Sequence, residues 1–191
     1  AGLLYATLPA VSLSSSLIST DVPLLFFWAV ALLAFVLMFQ TKSWWPAILF
    51  GLAFGFGLNA KYAMIWFVVC AAIYFFTTPE RRGLLKDARL YVALGVGFVM
   101  LIPNVLWNRE NKFATLSHTA DNANWGASML HPDKAAEFFL AQFGVFGPIL
   151  FATLLVIVWR AWKEGVGEQD RLLLAFALPV ILAITVQAFL S

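Results

Sequence analysis

Between Val22 and Gln40 the chain runs for 19 residues without a charged side chain, and between Trp44 and Thr77 it runs for 34 with Lys61 as the one exception. A helix needs about 20 predominantly apolar residues to cross a bilayer. Stretches of this kind leave a chain little choice: they are buried in lipid or they aggregate. The composition agrees. The chain is 62% hydrophobic and only 12% charged, against roughly 25% charged in soluble domains. That is too little charged surface to cover a water-soluble globule, which excludes a cytosolic enzyme, a secreted disulfide module and a disordered segment. The apolar residues come in long runs without period-2 alternation, so a membrane β-barrel is excluded too. Cys70 is the one cysteine, so no internal disulfide forms, and a net charge of +2 is too small to suggest nucleic acid as a partner. The expected fold class is all-α, a polytopic transmembrane helical bundle within the lipid bilayer.

Seven apolar segments are expected to be membrane helices: 1–18, 22–40, 46–58, 62–76, 90–107, 138–159 and 172–190. The third and fourth come from dividing the long block at Asn59-Ala60-Lys61. The chain begins and ends inside apolar stretches, with no initiator Met and no basic leader. It therefore reads as a single transmembrane domain over 1–191, an internal piece of a longer protein and incomplete at both ends. Cytoplasmic loops carry an excess of Lys and Arg. One set of loops, about 41–45, 78–89 and 160–171, holds Lys42, Arg81, Arg82, Lys86, Arg89, Arg160, Lys163 and Arg171; the other holds Lys61, Arg109, Lys112 and Lys134. The first set is expected in the cytoplasm. Trp44, Trp45, Trp159 and Trp162 then mark the cytoplasmic boundary, and Trp107 and Trp125 the outer one.

On this topology the polar residues without an anchoring role collect on the outer face. Asp21 lies in Ser19-Thr20-Asp21-Val22-Pro23, a helix-start pattern in which it can cap the helix, with Pro23 in the first turn. It is equally a carboxylate at the membrane surface, able to bind a metal, orient a hydroxyl or act as a base. Lys61 reads either as a lysine snorkelling from a tight turn or as a cation set to hold a phosphate, with Tyr62 beside it. The outer loop, about 108–135, is the most polar segment. In it His118 and Asp121 are three residues apart, as metal ligands or as substrate contacts, although the spacing matches no strong template. His131 and Asp133 read as a solvated turn. Asn122, Asn124 and Trp125 form a polar-aromatic group suited to a sugar, and Arg109 is a second candidate for an anionic group. Gly51, Gly55 and Gly57 place small residues along one helix, a packing pattern and not a phosphate loop.

Three elements occur in order: T-D-x-P-L at Thr20, G-L-x-x-G-x-G-L-x-x-K-Y ending at Tyr62, and P-N-x-x-W-N-x-x-N from Pro103 with a following Ser117-His118. Together they resemble bacterial members of the dolichyl-phosphate-mannose protein mannosyltransferase-like group. These are GT-C class membrane glycosyltransferases, related to the lipid A aminoarabinose transferases. The resemblance covers about 19–125. It implies transfer of a sugar from a polyprenyl-phosphate donor to an acceptor lipid, glycan or protein on the outer face of a bacterial inner membrane, usually with inversion. It implies that Asp21 is an outer-face catalytic acid and that Lys61 and Tyr62 form the buried lysine turn. His118 falls where members often carry a loop histidine. The family's principal carboxylate belongs to an outer loop ahead of the segment seen here, so this piece alone is expected to be inactive. On this reading Lys61, Arg109, His118, Asp121, Tyr62 and Trp125 contact substrate, with a divalent metal cation between Asp21 and His118 as an optional cofactor. The competing readings are a transporter or channel subunit and a non-catalytic membrane scaffold.

Overall fold

The structure is a computed structural model that describes residues 8–14, 19–115 and 132–190. Every regular element among them is helical. In chain order they are α1 (Pro9–Ser14), α2 (Asp21–Gln40), α3 (Trp45–Ala60), a 3₁₀ turn (Tyr62–Ile65), α4 (Trp66–Thr77), a 3₁₀ segment (Pro79–Lys86), α5 (Ala88–Glu110), α6 (Pro132–Val145), α7 (Pro148–Glu164) and α8 (Glu168–Leu190). The chain divides into two compact units, 20–119 and 1–19 with 120–191.

In the first unit α2 packs on α3, and α3 on α5. The α3–α5 seam follows from the glycines. A Cβ on Gly51 would lie 2.4 Å from the Ala93 carbonyl oxygen and 2.7 Å from Val96 Cβ, and one on Gly55 would lie 2.6 Å from Met100 Cβ. Two helices approach this closely only where a side chain is missing, the usual device of membrane helices. Both contacts advance four residues together, so α3 and α5 run parallel, with α2 antiparallel to them. The core is aromatic. Phe35 and Phe67 are 1% exposed and Tyr74 is 2% exposed, and Phe35 meets Phe39, Phe50, Phe67, Tyr74 and Phe75 edge-on or tilted. The outward faces are apolar as well, with Phe26, Phe76 and Phe98 more than 60% exposed, as lipid contact requires.

The unit has two chemically different ends. At one, Arg89 gathers the carbonyls that close α2: its guanidinium donates to Met38 O at 3.2 Å, to Ser43 O at 3.2 Å and to Thr41 O. Asp87 caps α5, accepting the Arg89 N–H at 2.9 Å, and grips the same guanidinium at 2.7 Å. These bonds, side chain first and backbone second, hold the Asp87 carboxyl below its ordinary range. Arg81 lies over the Phe39 ring, and Arg82 donates to Phe75 O and Phe76 O. A cavity of about 530 Å³ is lined by Phe50, Phe54, Phe67, Ala72 and Leu94, with Arg82 as its one charged residue. Neither Asp21 nor Lys61 lines it. The other end carries the N-terminus of α2 and the C-termini of α3 and α5. Within this unit Lys42, Arg81, Arg82, Lys86 and Arg89 therefore lie at one end, and Lys61 and Arg109 at the other.

In the second unit α6 packs against α8, and α1 against α6. Residues 138–159, expected as one span, are broken: α6 and α7 meet at 115° across Phe146-Gly147. Gly147 takes φ +83°, open to glycine and strained for other residues, and Pro148 starts the next helix. Phe151, 1% exposed, fills the elbow against Phe139, Phe143 and Phe146. Among the described residues, three helices (α2, α5 and α8) are long and apolar enough to cross a membrane, with the bent pair as a fourth if it counts as one span. The short helices 46–58 and 62–76 were expected as two of seven spans. They appear as α3 and as a 3₁₀ turn leading into α4, both below spanning length. Of the expected span 1–18, only 8–14 are described.

Candidate functional site

Asp21 and Lys61 meet. Lys61 Nζ donates to Asp21 Oδ1 at 2.5 Å, joining the start of α2 to the end of α3 across 40 residues of sequence. Local rules explain how each arrives there. Asp21 is the first residue of α2, where a negative charge faces the positive end of the helix dipole. Sequence alone allowed Asp21 to be the cap itself. Instead Thr20 takes the cap position, without a side-chain capping bond, and Asp21 lies one step inside the helix. Lys61 is the extended residue, φ −160° and ψ 131°, between α3 and the 3₁₀ turn. Its N–H still bonds Gly57 O at 2.9 Å, so the backbone is closed while the side chain is thrown outward. The two side chains are 45% and 50% exposed. A ligand can reach both.

Polar groups behind the pair tie the lysine turn to α5. The Tyr62 hydroxyl donates to Asn104 Oδ1 at 2.8 Å. Asn108 Nδ2 donates to Asn104 Oδ1 and Asn104 O, each at 3.0 Å, and reaches the Tyr62 oxygen at 3.3 Å. Asn108 Oδ1 accepts the Thr115 N–H at 3.1 Å. Asn59 Nδ2 donates to Met100 O at 3.0 Å, close to Pro103, which has no N–H to give Val99 O. Sequence reasoning assigned Asn59, Asn104 and Asn108 no role, although two of them stand in the P-N-x-x-W-N element. The available signal was their spacing. Asn104 and Asn108 are four apart on one face of an otherwise apolar helix, where an amide must find a partner.

Arg109, in the last turn of α5, is exposed and makes no side-chain bond among the described residues. It lies at the Lys61 end of the unit. The expected loop start at 108 shifts, since α5 continues to Glu110. His118, Asp121 and Trp125, together with Asn122, Asn124 and His131, lie outside the described residues. Among those described, no three His, Cys, Asp or Glu side chains gather to hold a metal. Asp21 offers a carboxylate already facing an ammonium, a poor start for a cation site. The charged groups of this unit stand at its two ends and form no file through the helices, unlike a conduction pathway.

A carboxylate beside an exposed ammonium, at the mouth of an apolar bundle, is suited to an anionic headgroup carried on a lipid tail. An ammonium has three donors. Asp21 takes one, which leaves two open to a ligand. Known proteins resemble this chain in sequence. Residues 1–107 match the family model described as dolichyl-phosphate-mannose-protein mannosyltransferase, a range that includes Asp21, Lys61, Tyr62 and Asn104. The chain is 39% identical over 187 residues to the lipid A galacturonosyltransferase RgtD of Rhizobium johnstonii, covering 98% of this chain and 39% of that protein. It thus spans about two-fifths of that relative's length. No solved structure matches it. With more than half of its residues under the family model, the chain belongs to the dolichyl-phosphate-mannose-protein mannosyltransferase family of membrane glycosyltransferases.

Proposed function

We propose that the full-length protein transfers a sugar from a polyprenyl-phosphate donor to an acceptor on the extracytoplasmic face of a bacterial inner membrane, with Lys61 holding the donor phosphate and Asp21 holding Lys61. The observation that carries this reading is the Asp21–Lys61 ion pair. In the reaction an acceptor hydroxyl oxygen bonds to the anomeric carbon as the bond from that carbon to the phosphate oxygen breaks. The electron pair leaves with the polyprenyl phosphate. Negative charge grows on that phosphate, where a fixed ammonium favours the transition state over the ground state. The hydroxyl proton goes to a base outside the described residues. Arg109 supplies a second positive charge at the same end. The relative's name specifies lipid A and galacturonic acid, which puts a glycolipid first among lipid, glycan and protein acceptors and a uronic acid first among sugars. The split of Lys and Arg between the two ends of the first unit supports placing the Lys61 end outside.

Turnover of polyprenyl-phosphate galacturonic acid by the purified full-length enzyme tests the reading. Hydrogen bonds to charged groups contribute about 1.5–3 kcal/mol, so Lys61→Ala should lower donor kcat/KM by roughly 10- to 150-fold. Asp21→Asn keeps a polar residue at the helix start and should reduce turnover less, by about tenfold or under. Wild-type rates in both variants would remove the pair from the mechanism. Loss of turnover on chelation, restored by a divalent cation, would move the phosphate's positive partner from Lys61 to a metal.

A further inference from the structure

Asn108 is the most completely bonded polar side chain at the Lys61 end. It is 3% exposed, and its amide is satisfied on both sides, by Tyr62 and Asn104 on the nitrogen and by Thr115 on the oxygen. Its backbone carbonyl also closes α5, accepting the Phe113 N–H at 2.7 Å. The turn it closes is strained. Lys112 and Phe113 follow one another at φ +54° and +57°, the left-handed region, with no glycine at either position. Side chains disfavour this region, so the surrounding bonds must hold the turn in place. A buried amide fully used across 46 residues of sequence fixes one arrangement of the chain segments it joins. Those segments are the C-terminus of α5 and the turn that begins at Lys61.

We infer that Asn108 is a positioning residue for Lys61: through Tyr62 it locks the lysine turn to α5 and so sets where the ammonium stands when the donor phosphate arrives. The inference rests on the reading above that Lys61 contacts the donor. It extends that reading to Asn108, a side chain only 3% exposed. Lys61 has four rotatable side-chain bonds and only an exposed carboxylate to steer it, so its position is set mainly by its backbone. Misplacing a catalytic group by about 1 Å can cost on the order of 100-fold in rate.

A double-mutant cycle in the full-length enzyme tests it. Asn108→Ala and Tyr62→Phe should each lower donor kcat/KM, by about tenfold and about threefold, without altering an acceptor KM measured at saturating donor. In a Lys61→Ala background the same substitutions should change donor kcat/KM by less than about twofold, because the group they position is gone. Additive losses in that background would overturn the inference and leave Asn108 a purely structural residue. Tyr62→Phe removes a single hydroxyl and keeps the ring, so it decides the matter if Asn108→Ala fails to accumulate: unchanged donor kcat/KM in Tyr62→Phe overturns the inference. An inactive Lys61→Ala combined with a wild-type Tyr62→Phe would reject this inference alone. A fully active Lys61→Ala would reject the donor reading itself.

Discussion

Gly51→Ala adds one methyl where the structure has no room for it. The new Cβ would stand 2.4 Å from the Ala93 carbonyl oxygen, and the obstacle is backbone, which cannot rotate away. Non-bonded carbon contacts settle near 3.5–4.0 Å, so α3 and α5 must part by about 1 Å along this seam. Overpacking of this kind costs about 1–3 kcal/mol. Alanine also gains up to about 1 kcal/mol over glycine in helix propensity, which masks part of that cost. Gly95→Ala corrects for the masking. Gly95 lies in the same helix as Ala93, and a Cβ there meets nothing within 4 Å. The two substitutions share the propensity gain, so their difference isolates the clash at about 1–3 kcal/mol. Unfolding the full-length protein by titrating denaturing detergent in mixed micelles gives both values. Gly51→Ala should be the less stable of the two by that margin. Its donor kcat/KM should fall as well, because parting the helices stretches the Asn59–Met100 and Tyr62–Asn104 bonds that locate Lys61. Equal stability of Gly51→Ala and Gly95→Ala would refute the close approach of α3 and α5.

Other consequences are open to measurement. Lys112→Gly should leave stability unchanged or raise it, since glycine takes φ +54° without strain, whereas Lys112→Val should destabilise by more than about 1 kcal/mol in the same titration. Asp87 makes a pH-dependent contribution. Its folded pKa lies below the ordinary value, so its stabilisation is fully present above about pH 4 and is lost as pH falls through the folded value. The stability gap between wild type and Asp87→Asn should therefore stay constant from about pH 7 to 5 and close in stronger acid; a gap that persists there would remove the charge from the account.

How much of this was legible in the sequence depended on whether the signal was local. α2 and α5 stood out because charge is absent over a spanning length, and the glycines of α3 announced a packed seam. Asp21 and Lys61 stood out because ionisable residues in such surroundings are rare. Their shared place on one face was legible from the loop charges, but their direct ion pair was not, because 40 residues separate them and the antiparallel register of α2 and α3 brings them together. Asn108 was hidden for a similar reason: its partners come from the lysine turn and from beyond its own helix. The elbow between α6 and α7 was legible and was passed over, for Gly147-Pro148 is a breaker pair inside an apolar run. The start of α5 at Ala88, two residues ahead of the apolar segment, follows from the Asp87 cap, which hydropathy does not register.

The two ends of the first unit also differ mechanically. Around Arg89 five acceptors, three backbone carbonyls and both oxygens of Asp87, converge on one largely buried guanidinium, so α2 and α5 are riveted where the cytoplasm is expected. At the opposite end α2 is tethered to the lysine turn by the exposed Asp21–Lys61 contact, and exposed ion pairs contribute only about 0–1 kcal/mol. The contact lies at the edge of a seam that α2 shares with its neighbours, where Phe27 stacks on Phe56 and Trp28 meets Phe67 edge-on. Losing that contact should therefore cost the fold little, so variants at Asp21 and Lys61 can be compared with wild type at nearly equal stability.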